Sequence, residues 1–127
     1  FGKVWRWAGT YRTTGKNLGI DPAKIHLQTL QSIDDARFWI DNQTYPADEI
    51  AIRFHHALVS IHPFPNGNGR WSRLMADVLI VRLGGKRFSW GAGDRLRAGE
   101  KMRGSYIAAL KAADNFDFAA LLAFARS

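Results

Sequence analysis

The segment His62-Pro63-Phe64-Pro65-Asn66-Gly67-Asn68-Gly69 limits the fold of this chain more than any other stretch. Its prolines cannot continue a helix, and its glycines and asparagines take up positive φ at little cost. No regular element can run through it. Before it, Pro46 opens a helix at a position that tolerates proline. There Ala47, Ile50, Ala51, Phe54, Ala57, Leu58 and Ile61 form an apolar stripe of helical spacing facing a core. Pro63 ends that helix. After the segment, Leu74, Met75, Val78, Leu79 and Val81 predict a second helix over 70–83 with a wide apolar face, stopped by Gly84 and Gly85. Two core helices are thus joined through a short polar loop.

The rest of the chain fits one domain, 1–127, without repeats or a low-complexity linker. Residues 1–8 read as the end of a helix closed by Gly9. Because the chain begins at Phe1 rather than methionine, it reads as an N-terminally truncated fragment. Thr10, Tyr11, Thr13, Thr14, Ile20, Ile25 and Leu27 favour extended backbone, and Gly15, Gly19 and Pro22 punctuate them. They predict a β-hairpin flap over about 10–30. Ser32 is then the expected N-cap of a helix with Asp34 and Asp35 in its first turn. Asp94 is the expected cap of a helix reaching about Ala113, and Asp117 that of a last helix over 118–126. The expected fold class is mostly α with one β-hairpin flap.

Composition narrows the function classes. The chain has 127 residues, 46% of them hydrophobic, which suffices for one core, and no cysteine. Disulfides and thiolate metal sites are excluded, and a reducing cytoplasm is the expected location. The longest apolar stretch, 118–125, falls far short of the roughly 20 residues of a membrane span. No signal peptide is visible. A net charge of +7 and a pI near 10.3 favour anionic partners. No run of five basic residues occurs, so nucleic acid is not the expected one. His55 and His56 lack an HExxH pattern or a cysteine beside them and read as ordinary helix residues rather than a zinc site.

The polar loop carries the chemistry. Its turn can direct several backbone N–H groups into one concavity, and it leads into a helix N-terminus, where unpaired N–H groups and the dipole favour an anion. Arg70 lies on the first turn and Arg73 one turn later, where a guanidinium can fork onto phosphate. His62, at the other edge of the loop, can accept a proton from an incoming hydroxyl. Phe64 is the expected inward anchor. A phosphate chain is the natural ligand.

His62, Pro63, Phe64, Gly67, Asn68, Gly69, Arg70 and Arg73 match the signature H-P-F-x-[D/E]-G-N-G-R-x-x-R, and the chain resembles the Fic family, most closely its mobile mystery protein B subgroup. Residues 1–9 also resemble that family's segment before its flap. The resemblance implies a Fic-type helical bundle with its catalytic loop at 62–73. It implies a protein adenylyltransferase that moves AMP from ATP to a Ser, Thr or Tyr hydroxyl. His62 would be the base. Gly67, Asn68, Gly69 and Arg70 would hold phosphates, and Arg73 would orient the terminal one. ATP and Mg²⁺ would be the cofactors, with the target protein docked on the flap by strand addition. The family's metal-binding acid is replaced here by Asn66, whose amide oxygen brings no charge. This keeps two alternatives open: a Doc-like protein phosphotransferase, and a non-catalytic nucleotide-binding module of a toxin–antitoxin pair. Many Fic proteins also resemble one another in an inhibitory [S/T]-x-x-x-E-[G/N] motif that restrains the second arginine. Glu49 precedes Ile50 and Glu100 precedes Lys101, so neither fits. An antitoxin or an upstream inhibitory helix is the expected source of that acid.

Overall fold

The computed structural model describes residues 22–61, 68–92 and 99–127, apart from the side chains of Pro22, Asn68 and Glu100. A 3-10 turn, Pro22–Lys24, leads into α1 (Ile25–Asp41). Then follow α2 (Ala47–Ile61), α3 (Asn68–Arg82), α4 (Gly99–Asp114) and α5 (Ala119–Arg126). The fold is mostly α, and among the described residues there is no strand. The expected flap is corrected over its last third, because Ile25 and Leu27 are helical. Its first part, 10–21, lies outside the described residues, as do the expected first helix and the Asp94 cap. The buried residues of α1 are Ile25, Thr29, Ser32 and Ala36, a helical spacing hidden under two β-branched side chains. Ser32 is therefore not an N-cap. It sits in the middle of α1, and its hydroxyl donates back to the Gln28 carbonyl at 3.0 Å.

Helix α2 starts directly after Pro46, whose carbonyl accepts the Ile50 N–H. It packs against α1, α3 and α5, and α4 packs on α5. A helix with three neighbours needs more than one apolar stripe. Ile52 and His55, outside the predicted stripe, are both fully buried, while Ala57 is only half-buried. Phe54 and Leu58 pack with Ala36 of α1. Ala51 and Ile52 join Ala76, Ile80, Phe88, Ala109, Ala113, Phe118, Leu121 and Ala125 in the larger core.

The predicted apolar face of α3 is corrected in part, since of its residues Met75 and Leu79 do pack against the core. Val78 is 40% and Val81 52% exposed. The buried line is Ser72, Ala76 and Ile80, with Asp77 beside it. Asp77 points inward because residues 86–92 cross over it, and it accepts the Phe88 N–H at 3.2 Å and the Trp90 indole N–H at 3.1 Å. Gly84 stops α3 as expected, with φ +90, and its N–H returns to Val81.

The same crossing segment is tied to α5. The Ala125 carbonyl accepts from Ser89 N–H at 2.8 Å and Trp90 N–H at 2.9 Å. Arg126 donates to the Lys86 and Arg87 carbonyls and forks onto Asp48 in the first turn of α2. The expected Asp117 cap of α5 is corrected: Phe118 is the N-cap, and Asp117, one residue earlier, accepts the Ala119 N–H at 3.2 Å. No described helix is long and apolar enough to cross a membrane.

Candidate functional site

Helix α3 begins at Asn68, and its first turn carries no acid to offset the dipole. Residues 62–67, which include His62, Phe64, Asn66 and Gly67, lie outside the described residues. Of the remaining predicted site residues, Asn68, Gly69 and Arg70 form the first turn, with Arg70 exposed. Ser72 closes that turn by donating its hydroxyl to the Gly69 carbonyl at 3.0 Å. Arg73 is half-buried, and its guanidinium folds over the Tyr106 ring of α4, with Cζ 5.3 Å from the centroid. A side chain at position 69 would put its Cβ 3.3 Å from Arg73 Nη1, so Gly69 leaves room for the guanidinium.

Arg73 faces a cavity of about 470 Å³. Trp90, Met102, Tyr106, Ile107 and Phe124 supply its apolar lining, and Arg103 is its second guanidinium. One anion-seeking edge and one aromatic wall suit a ligand that is charged at one end and flat at the other.

A buried network backs that wall. His55 of α2 lies with Nε2 2.8 Å from the Tyr106 hydroxyl, and its ring centroid is 4.7 Å from that of Trp90. Burial drives the His55 pKa down to about 3, and Arg73 and His56 add to the fall. The Ser72 backbone acts in the opposite sense, but Nδ1 meets no partner at hydrogen-bond geometry among the described residues. Burial also pushes the Tyr106 hydroxyl up, while Arg73 and Ser72 pull it back. Trp90 sits at φ 51, a region bulky residues seldom occupy. Its N–H bond to Ala125, its indole bond to Asp77 and its contact with His55 hold it there.

The chain matches the model of the Fic/DOC family over residues 1–80. It belongs to the Fic/DOC family. Among its relatives, "Protein adenylyltransferase fic-1" of Caenorhabditis briggsae is 32% identical over 81 residues, covering 61% of this chain and 16% of the relative. "Protein adenylyltransferase Fic" of Nematostella vectensis is 34% identical over 80 residues, covering 61% and 19%. The chain thus spans less than a fifth of the length of these curated relatives. The solved structure "Fic-1 (aa134 - 508) from C. elegans" is similar with a TM-score of 0.63 at 25% identity, over 95% of this chain and 34% of that one. In this Fic/DOC chain the family match ends at residue 80. Trp90, Met102, Tyr106 and Phe124 all come after it. Sequence reasoning missed these wall residues and the inward Asp77. A tyrosine 51 positions from its histidine carries no local pattern.

His56 pairs with Asp114 at 2.8 Å rather than with His55. No group of three His, Asp or Glu side chains among the described residues could hold a metal.

Proposed function

We propose that this Fic/DOC domain transfers AMP from ATP to a Ser, Thr or Tyr hydroxyl of a target protein. The observation that carries the reading is Arg73, which stands at the N-terminal end of α3, directly after the phosphate-loop sequence, and faces a cavity with an aromatic wall. Phosphates would lie against the N–H groups of Gly67, Asn68 and Gly69, with Arg70 and Arg73 neutralising charge. Asn68 would add its side-chain amide, and Phe64 would anchor the loop. His62 accepts the proton of the target hydroxyl. That oxygen forms a bond to the α-phosphorus, the bond to the bridging oxygen breaks, and pyrophosphate leaves. Catalysis then rests on positioning and charge stabilisation. The target would be received along 10–21, the part of the expected flap that lies outside the described residues.

Mg²⁺ fits only as a companion of the nucleotide. Asn66 brings one neutral oxygen, and phosphates and waters would complete the shell. The ion would neutralise phosphate charge. An acid to restrain Arg73 would come from an antitoxin or an upstream helix, since Glu49 is engaged by Arg53 at 2.9 Å. No ion pair joins Arg73 to a carboxylate among the described residues.

Asn66 in place of the acid favours one second reading, phosphotransfer with the nucleotide reversed. Incubation of the protein with a lysate and ATP labelled at the α or the γ position decides. We expect label on protein from α-ATP alone. His62→Ala should lower that transfer about 10²–10⁴-fold, with ATP affinity within a few-fold of the parent. Label from γ-ATP alone would replace this reading with the second, and label from neither would leave a binding module.

A further inference from the structure

We propose that Tyr106 is a positioning residue for Arg73, and that His55 orients the Tyr106 hydroxyl so that its lone pairs face the guanidinium. The proposal rests on the reading of Arg73 as a ligand of the ATP terminal phosphate. It begins from a geometric fact: Arg73 leans on Tyr106, and Tyr106 leans on a histidine that no solvent reaches.

Burial keeps the His55 ring neutral near pH 7, so one nitrogen donates and the other accepts. In the proposed arrangement Nε2 is the acceptor, and the Tyr106 O–H, 2.8 Å away, donates to it. The lone pairs of the Tyr106 oxygen are then left for Arg73, which can only donate and whose Cζ lies 5.3 Å from the Tyr106 ring centroid. The guanidinium would then have two supports on one residue, the ring face and the hydroxyl oxygen.

The base of this support is immobile for stated reasons. The His55 ring packs on Trp90, and Trp90 is pinned by the Asp77 carboxylate and the Ala125 carbonyl. A long arginine side chain has many rotamers, and a ligand would otherwise have to select one. Holding the guanidinium before ATP arrives removes that cost for the terminal phosphate only. A nucleotide without that phosphate gains nothing from it.

Calorimetric titration with ATP and with AMP tests the proposal without depending on transfer. Tyr106→Phe keeps the ring and removes the hydroxyl. It should weaken ATP binding roughly 10-fold and leave AMP binding within about two-fold. Arg73→Ala should weaken ATP roughly 10–100-fold, and adding Tyr106→Phe to it should change little more. His55→Gln, which keeps an acceptor, should retain most of the ATP affinity, whereas His55→Leu should behave as Tyr106→Phe does. This pair gives the same answer if Tyr106→Phe does not fold. Unchanged ATP affinity in Tyr106→Phe beside a loss in Arg73→Ala overturns the positioning role and leaves the site reading standing. Equal losses for ATP and AMP overturn it too. A parent protein that binds no ATP overturns the reading of the site, and this proposal with it.

Discussion

His55 and His56 are neighbours on one helix, and their surroundings are opposite. His55 is closed off from water between Trp90 and Tyr106, within hydrogen-bond distance of the hydroxyl of the half-buried Tyr106. His56 is half-buried and bonded to the exposed Asp114, with its ring edge-on to Phe118 at a centroid distance of 5.5 Å. Around His56 the other polar contacts are also at the surface: Arg53 lies between Tyr45 at 4.0 Å and Phe118 at 4.3 Å, and pairs with Glu49. The difference lies in what replaces a lost partner. On the outer side water does, so each pair contributes little. On the inner side nothing does, so a missing partner carries its full desolvation cost. A network of the second kind can hold an arginine still at the mouth of a cavity.

The largest effect should come from cutting the base of the inner network. Asp77→Ala leaves the Phe88 N–H and the Trp90 indole N–H without their acceptor. We expect a loss of about 2–4 kcal/mol of stability by urea denaturation. A loss below 0.5 kcal/mol would mean that water reaches this side after all, and the comparison would fail.

The next prediction tests the inner histidine by pH. Burial lowers the His55 pKa from 6.5 to about 3 on folding, so below 6.5 the unfolded chain binds the extra proton. The associated stability is fully present above pH 6.5 and falls as pH drops toward 3. Between pH 6.5 and 5 the fall should be about 2 kcal/mol, at roughly 1.4 kcal/mol per unit. His55→Gln should flatten this part of the stability curve. A curve as steep in His55→Gln as in the parent, in paired denaturation series, would remove the role given to this ring.

The smallest effect belongs to the outer side. Asp114→Asn should change stability by only ~0.2–1 kcal/mol, because its contact with His56 is open to water. A thermal melt that moved as far as that of Asp77→Ala would show that both sides carry equal load.

Much of this protein was legible in the sequence, because the signals were local. Pro46 and Gly84 act through their own backbone within a few residues, and helix boundaries follow from such rules. The proposed phosphate site, His62 to Arg73, rests on the same kind of signal, because glycines, a helix start and arginines are contiguous there. The expected flap failed over 25–30 for a related reason. Ile25 and Leu27 read as extended by residue type, yet the spacing of Ile25, Thr29, Ser32 and Ala36 lets one helix bury all four, and burial outweighs propensity.

Tertiary structure alone decided the rest. It turned Asp77 inward, left Val78 and Val81 outside, closed His55 away from water and kept His56 near it. It also brought Tyr106 beneath Arg73 from 33 positions away. None of these outcomes is encoded by a residue type or a period. Each depends on which segment crosses which helix, since burial and hydrogen-bond partners are properties of packed elements and not of the chain that forms them.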